Sequence, residues 1–316
     1  MVTRRLGTSG PEVGPIAFGA MSFAGYYGSA EDAEGIRAIH RALEVGMTLI
    51  DTAETYGDGR NEEMVGRALA GRRDRAVLAT KSSRGAPDYL RDAAQRSVSR
   101  LGVDHIDLYY LHRVDPDVPI EESVGAMARL VEAGTVRHIG LSEAGPETIR
   151  RAHAVHPIAA LQSEFSLLSR EPERDLLPVT RELGIAYVAY SPLSRGLLAG
   201  RIRSLDDLAP DDWRRQVPRF QGENLARNLA VTARLSEIAA ARGVDVASLA
   251  IAWLLARGDD VIPLVGTSRA DRVDRNLEAL TIALSAEDLA EIDAAAPIGA
   301  ASGERYPTAH MPRLGV

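Results

Sequence analysis

The stretch of this sequence best suited to chemistry is Asp51-Thr52-Ala53-Glu54-Thr55-Tyr56, which follows the apolar pair Leu49-Ile50. This pattern predicts a buried strand that ends at Asp51 and a loop that carries Tyr56. A carboxylate and a phenol on one loop can take part in proton transfer when a cation tunes them. The stretch therefore predicts a proton-transfer site.

The cation for this site is Lys81, at the end of the next predicted strand. Of the 37 basic residues in the chain, 36 are Arg and Lys81 is the single Lys. An ammonium group is compact and changes its charge readily, whereas a guanidinium stays protonated. Genomic base composition contributes to the excess of Arg, but we interpret Lys81 as a functional group.

A fourth polar residue, His112, follows the predicted strand 106–111. Because parallel strands point their carboxyl ends at one face, Asp51, Tyr56, Lys81 and His112 are expected to converge there. Tyr56 would donate a proton to a carbonyl oxygen, Lys81 held by Asp51 would lower the phenol pKa, and His112 would bind the same oxygen. Each residue alone has an ordinary structural explanation, such as a loop cap or a core histidine. Their coincidence on successive strand ends favours a joint site.

The elements around these residues alternate between strands and helices. Eight such units in 316 residues favour a closed (β/α)₈ TIM barrel, with an N-terminal β-hairpin and extra C-terminal helices, in one domain spanning 1–316. An open doubly wound sheet is the alternative, but Gly57-Asp58-Gly59-Arg60-Asn61-Glu62 has Glu where a nucleotide-binding fingerprint needs a third Gly. The strands are predicted at 16–18, 49–51, 76–80, 106–111, 136–141, 158–161, 185–189 and 261–264.

Helix caps are predicted at three places. Ser29 with Asp32 and Ser285 with Asp288 have the spacing of capping boxes, and Asn61 is expected to cap the helix after the Tyr56 loop. The segment 193–221 has no clear period, and a loop this long is usually functional.

Composition excludes several classes of function. The chain is 45% hydrophobic and 26% charged, has a net charge of −7 and contains no Cys. The negative charge argues against nucleic acid or an anionic membrane as the main partner. Disulfides and thiolate chemistry are ruled out, and no signal peptide or spanning segment is evident, so a cytoplasmic monomer is the default expectation. No metal site is predicted, because His153 and His156 lack acidic or Cys partners nearby.

Taken together, the motifs resemble those of the aldo-keto reductases, over residues 3 to 295. The resemblance is carried by Asp51-Thr52-Ala53, Tyr56-Gly57, Asn61-Glu62-Glu63, Lys81, 106–112, Ile139-Gly140-Leu141-Ser142, Tyr190-Ser191-Pro192-Leu193 and Gly266-Thr267-Ser268-Arg269. It implies a barrel that binds NADPH in extended form, with Tyr56 as the acid of an Asp51/Tyr56/Lys81/His112 tetrad and a small-molecule carbonyl as substrate.

The resemblance also implies a set of cofactor contacts. Ser142 and Gln162 would hold the nicotinamide carboxamide, and Tyr190 would stack on the ring. The pyrophosphate would lie along Ser191, Leu193 and the backbone of Arg195 and Gly196. The adenosine end would be bound by Gly266, Thr267, Ser268, Arg269, Arg272 and Asn276. Without the resemblance, Arg269 and Arg272 would be interpreted as part of a solvent-exposed helix face.

Three positions depart from the family pattern. Glu143 stands where Asn is common, Arg275 where Glu is common, and Gly266 where one large branch has Lys. The strictness of the preference for NADPH over NADH therefore stays open. Substrate choice is expected to depend on loops, with Tyr26, Tyr27, Trp213 and Tyr306 as candidate pocket walls.

Two other functions remain as alternatives. One is an NADPH-binding regulatory subunit that turns over little and acts through a protein partner. The other is an isomerase or lyase that uses residues at the strand ends without a nicotinamide. The cofactor-shaped motif at 266–276 disfavours the second alternative.

Overall fold

The structure, a computed structural model, describes residues 2–28, 31–267 and 269–316. The predicted capping box at Ser29 and the predicted cofactor contact at Ser268 lie outside the described residues. The other predicted elements can be compared directly.

Eight parallel strands close into a barrel, which confirms the predicted fold class. Two short antiparallel strands, β1 (Arg4–Arg5) and β2 (Glu12–Val13), form the expected hairpin before it. The barrel strands are β3 (Ala17–Gly19), β4 (Leu49–Asp51), β5 (Val77–Ser82), β6 (Ile106–Leu111), β7 (Val136–Ser142), β8 (Ile158–Glu164), β9 (Ala186–Tyr190) and β10 (Val261–Gly266).

Helices cover the outside of the barrel. Their inward faces pack aliphatic residues against the strands, as the amphipathic sequence pattern requires. The helices are α1 (Asp32–Glu44), α2 (Arg60–Leu69), α3 (Pro87–Leu101), α4 (Ile120–Glu132), α5 (Pro146–Val155), α6 (Pro172–Asp175), α7 (Leu177–Leu183), α8 (Gly222–Ala241), α9 (Val246–Leu255), α10 (Asp271–Leu277) and α11 (Ala286–Ala295).

The interior of the barrel is filled by its own side chains. Leu6 and Val13 of the hairpin region pack with barrel residues such as Leu49, Leu108 and Tyr110. The hairpin therefore closes one end of the barrel. The polar strand ends lie at the opposite end, where a barrel has room for a site.

The predicted cap at Asn61 is wrong. Gly59 precedes α2 with φ of 92°, and Asn61 lies inside the first turn with a buried side chain. The Asn61 side chain accepts a hydrogen bond from Thr52 Oγ1 at 2.7 Å and donates one to the Ala20 carbonyl at 3.0 Å. The Asn61 side chain therefore connects the segment after β4, which contains Thr52, to the segment after β3, which contains Ala20.

Other boundaries differ less. Ser285 and Asp288 form the predicted capping box at the start of α11. The helix predicted from Arg269 begins at Asp271, and its end tightens into a 3₁₀ turn at Glu278–Thr281. The segment without a clear period contains four 3₁₀ turns, at Ser194–Ala199, Leu205–Asp207, Trp213–Gln216 and Pro218–Phe220.

Within the described ranges, no single helix has the length and apolar character needed to cross a membrane. Helices α8 and α9 pass that test only as a pair, and they are bent by 87° relative to each other. The residues of α9 are almost all buried inside the protein.

Candidate active site

A cavity of about 640 Å³ lies at the carboxyl ends of the barrel strands. Five strands end on residues that line it, namely Gly19, Asp51, Ser142, Tyr190 and Gly266. The four predicted pocket walls, Tyr26, Tyr27, Trp213 and Tyr306, also line it. The other predicted site residues in its wall are Tyr56, His112, Gln162, Ser191, Leu193, Arg195, Gly196, Thr267, Arg272 and Asn276.

Beneath the cavity, Lys81 and Asp51 form a buried ion pair. Lys81 Nζ donates to Asp51 Oδ1 at 2.5 Å and to the Thr52 carbonyl at 2.7 Å, and the Lys81 side chain is fully buried. The strand register explains the pairing: Asp51 lies opposite Ala79, and Lys81 follows two residues later on the same face of β5. Burial raises the pKa of Asp51 and lowers the pKa of Lys81, while each partner's charge opposes the shift.

Tyr56 lies directly over this ion pair. Its ring centroid is 5.0 Å from Lys81 Nζ, and its ring makes an edge contact with His112 at 5.9 Å between centroids. The expectation that Lys81 lowers the phenol pKa needs correction. Burial, and then the charge of Asp51, raises the pKa of Tyr56 well above its ordinary value. Tyr56 is therefore protonated in the resting protein, and the Lys81 ammonium below its ring is placed to act once the proton leaves.

His112 completes the group at the end of β6. Burial, together with the positive charges of Arg113 and Lys81, lowers the pKa of His112 well below its ordinary value. The imidazole therefore stays neutral near pH 7 and can donate one N–H into the cavity.

Gln162 and Ser142 are each engaged with a neighbour. Gln162 Nε2 donates to Asp51 Oδ2 at 2.8 Å, and the amide oxygen of Gln162 is the atom that can accept a hydrogen bond. Ser142 Oγ accepts from Arg113 Nη1 at 3.2 Å. The two side chains lie in the cavity wall where the resemblance places a nicotinamide carboxamide.

Glu143, one of the departures from the family pattern, points away from the cavity. Its carboxylate accepts two hydrogen bonds from Arg305, at 2.6 and 2.8 Å, and one from the backbone N–H of Glu164. Burial alone would raise the pKa of Glu143, but the hydrogen bonds and charge of Arg305 hold it at about 2. This carboxylate anchors the C-terminal segment instead of contacting a ligand.

The turn after β9 has an unusual backbone. Ser191, Ser194, Arg195 and Gly196 all have positive φ, at 52°, 47°, 56° and 101°. Such a cluster of left-handed residues is costly and is typical of binding sites. The Arg195 guanidinium donates to Glu164 Oε2 at 3.0 Å and stacks on Tyr306. The Arg195 side chain is thus engaged within the protein, and the turn lies in the cavity wall.

At the far end of the cavity, Arg272 is joined by Arg201, which sequence reasoning missed because it lies in the segment without a period. In the described part of the chain, neither guanidinium lies within 4.0 Å of a carboxylate. Burial and the nearby cations Arg201 and Arg269 lower the pKa of Arg272. Crowded cations that lack a directly paired carboxylate can bind an anion.

The neighbouring arginines are paired. Arg275 donates to Asp245 Oδ2 at 3.0 Å. Arg269 donates to both carboxylate oxygens of Asp271, and it does not belong to the cavity wall. A Cβ added at Gly266 would lie 2.9 Å from Ser22 Oγ, so a larger side chain would require Ser22 to move.

Comparison with known proteins decides the family. The model of the Aldo/keto reductase family matches residues 15–297. The chain belongs to the aldo/keto reductase family. It is 44% identical to Probable aldo-keto reductase 1 of Glycine max, over 96% of this chain and 91% of that protein.

Solved structures agree with this assignment. A glycerol dehydrogenase from Gluconobacter oxydans is 31% identical, with a TM-score of 0.85, and the match covers 94% of this chain and 96% of that one. An aldo-keto reductase from Bacillus halodurans, in its holo form, is 29% identical with a TM-score of 0.80, over 94% and 97%. This aldo/keto reductase is therefore an oxidoreductase of carbonyl compounds. The alternative of a regulatory subunit receives no support from these relatives.

Proposed function

We propose that this protein reduces aldehydes or ketones with NADPH, and that Tyr56 is the proton donor. The observation that carries the proposal is the stack formed by the buried Asp51–Lys81 pair, Tyr56 and His112 at one wall of the cavity. A buried ion pair beneath a phenol has the arrangement needed to stabilise negative charge on the phenol oxygen.

Each residue of the stack has a distinct part in the reaction. Tyr56, whose raised pKa keeps it protonated, holds the proton that the carbonyl oxygen must receive. Neutral His112 donates a hydrogen bond to the same oxygen and orients it. As the proton leaves Tyr56, the Lys81 ammonium attracts the developing phenolate, while Asp51 holds Lys81 in place.

We infer that the described residues would hold NADPH, the reduced nicotinamide adenine dinucleotide phosphate. Such a cofactor, when bound, supplies a hydride. Ser142 and Gln162 would hold its carboxamide beside Tyr56, and the left-handed turn at 191–196 would present backbone to its pyrophosphate. Arg272 and Arg201 offer uncompensated guanidinium groups to a phosphate at the other end.

The proposal is tested by following NADPH consumption with a panel of reactive aldehydes and quinones. We expect Tyr56→Phe to reduce turnover by at least about 100-fold, the size of a general-acid contribution, while NADPH binding and thermal unfolding stay unchanged. Tyr26→Phe is the matched control, because Tyr26 also lines the cavity and its ring packs 6.2 Å from that of Tyr56. A fully active Tyr56→Phe enzyme would contradict the role of Tyr56. NADPH binding without turnover in the wild type would favour a regulatory function instead.

The cofactor preference is tested through Arg272. We expect Arg272→Gln to weaken NADPH binding by about 10- to 100-fold, because it removes charge-assisted hydrogen bonds to a phosphate. NADH binding should change little. Arg269→Gln is the comparison, since Arg269 is exposed and paired with Asp271, and its position outside the cavity wall predicts a smaller effect. Equal losses for NADPH and NADH in Arg272→Gln would show that Arg272 does not select the phosphate.

A further inference from the structure

We propose that Arg113 is an anion-binding residue in the substrate cavity, and that the preferred substrates are small carbonyl compounds that carry a carboxylate. This inference rests on the proposed carbonyl reduction at Tyr56. It concerns the substrate class, which the family assignment leaves open.

Arg113 is held rigidly in the cavity wall. It directly follows His112 at the end of β6, and its Nη1 donates to the His112 carbonyl at 2.5 Å and to Ser142 Oγ at 3.2 Å. Its Nη2 donates to the Tyr306 hydroxyl at 3.3 Å. All three acceptors are neutral. They fix the guanidinium, which also lies 5.9 Å from the centroid of the Tyr306 ring, without pairing it with an anion. Some of its five N–H donors remain unused.

The carboxylates near the cavity are all committed to other cations. Asp51 pairs with Lys81, Glu143 pairs with Arg305, and Glu164 pairs with Arg195 and Arg219. Across residues 2–28, 31–267 and 269–316, no carboxylate lies within 4.0 Å of the Arg113 guanidinium. Arg113 is thus a half-buried positive charge that the protein holds in place and, within the described residues, does not pair with a carboxylate, although Glu143 attracts it at longer range.

A half-buried charge without a counter-ion is costly, so a fixed one beside a reaction site points to an anionic ligand. A carboxylate matches the planar guanidinium better than any neutral group, because it can accept two parallel hydrogen bonds. Phosphate-bearing substrates share part of this chemistry, but the single guanidinium here suits the smaller, singly charged group.

The position of Arg113 also limits where the anion lies relative to the reacting carbonyl. His112 and Arg113 are consecutive residues, and the His112 ring contacts the Tyr56 ring. All three residues line the same cavity, and the charge of Arg113 acts on both Tyr56 and His112. A substrate with its carbonyl oxygen between Tyr56 and His112 and its carboxylate on Arg113 would therefore need only a short connection between the two groups. Short oxo acids meet this requirement, whereas the charged end of a long-chain substrate would lie beyond Arg113.

The test compares succinic semialdehyde with its methyl ester, which differs only by loss of the charge. We expect the wild type to have the higher kcat/KM for the acid. In Arg113→Met, we expect kcat/KM for the acid to fall by about 10- to 100-fold, the size of a lost charge-assisted hydrogen bond. For the ester it should change by less than about threefold.

Two further variants separate charge recognition from structural support. Tyr306→Phe removes one acceptor of Arg113 but keeps the cation, so the preference for the acid should persist. Arg113→Lys keeps the charge without the planar fork, so part of the preference should return. Binding of succinate, which cannot be reduced, should weaken in Arg113→Met and be retained in Tyr306→Phe.

The outcomes are distinguishable from failure of the proposed function. If the wild type reduces the acid and the ester equally, the inference is overturned while carbonyl reduction stands. If Arg113→Met lowers activity on both compounds equally, Arg113 only supports the site, and the inference is also overturned. If neither compound nor any other aldehyde consumes NADPH, the proposed reaction itself has failed.

Discussion

At the scale of single residues, the site depends on one buried ammonium. Lys81 fits between Asp51 and the Thr52 carbonyl with no exposed surface, below the Tyr56 ring. A guanidinium is wider than this space and presents its donors in a flat fork rather than from one point. The chain, which uses Arg at every other basic position, therefore has a geometric reason to keep Lys here.

Replacement of Lys81 by Arg should demonstrate this difference. We expect Lys81→Arg to lower kcat by at least about 100-fold, because the cation can no longer face the developing Tyr56 phenolate. Overpacking in the buried site should also cost about 1–3 kcal/mol of folding free energy. Steady-state kinetics and urea unfolding measure the two effects, with NADPH binding as the control. A Lys81→Arg enzyme of wild-type activity would rule out the proposed role of Lys81.

The residue types of the site could be predicted from the sequence, but their electrostatics could not. Asp51, Lys81 and His112 follow from strand ends, which a local pattern reveals. The direction of the Tyr56 pKa shift depends first on burial and then on the charge of Asp51, and Arg113, from a different strand, opposes it. Such effects depend on distances between elements that a linear sequence does not give.

At the scale of elements, the C-terminal segment completes the cavity. Arg305 pairs with Glu143, and the Gly315 N–H donates to the Glu143 carbonyl at 2.8 Å. Next to this anchor, the Tyr306 hydroxyl shares a hydrogen bond with that of Tyr190 at 3.0 Å, and its ring stacks against Arg195. The sequence identified Tyr306 as a candidate wall, but the contact that fixes it joins residues 162 positions apart.

The anchor should make stability depend on pH in a defined direction. The pKa of Glu143 is about 2 in the folded protein and near 4.5 when unfolded, so its stabilising effect is fully present above pH 4.5 and is lost as pH falls towards 2. Glu143→Gln should therefore be less stable than wild type at pH 7. The difference in unfolding free energy between wild type and Glu143→Gln should shrink as the pH is lowered, by up to about 3 kcal/mol in total.

Urea unfolding of both proteins at pH 7, 5 and 3 measures this change. Glu223→Gln is the control, because Glu223 forms an exposed pair with Arg227 on α8 and should contribute little at any pH. A gap between Glu143→Gln and wild type that stays constant with pH would show that Glu143 acts through packing rather than through its charge.

At the scale of the whole molecule, the alternation of eight strands with helices made the barrel predictable. The packing inside the barrel was not predictable, since it depends on which small residue faces which large one. Gly140 on β7 is an example. A Cβ added there would lie 2.5 Å from the Tyr110 ring and 2.8 Å from the Ala160 carbonyl. Gly140 belongs to a motif that carries the family resemblance, but the motif does not explain why a Gly stands there. The closed barrel shows that the Tyr110 ring occupies the space beside it.

Gly140→Ala should consequently destabilise the fold. Because the Tyr110 ring and the Ala160 backbone are both buried and cannot move freely, we expect a loss of about 1–3 kcal/mol of folding free energy. Gly125→Ala on α4 is the matched control. Its new methyl group would meet nothing nearer than the end of the Arg129 side chain at 4.0 Å, and should stabilise the helix by about 0.5–1 kcal/mol. If the urea midpoint falls in Gly140→Ala and rises in Gly125→Ala, the barrel interior has no room for a methyl group at position 140. Equal shifts in the two variants would show that the Tyr110 ring can move to accommodate it.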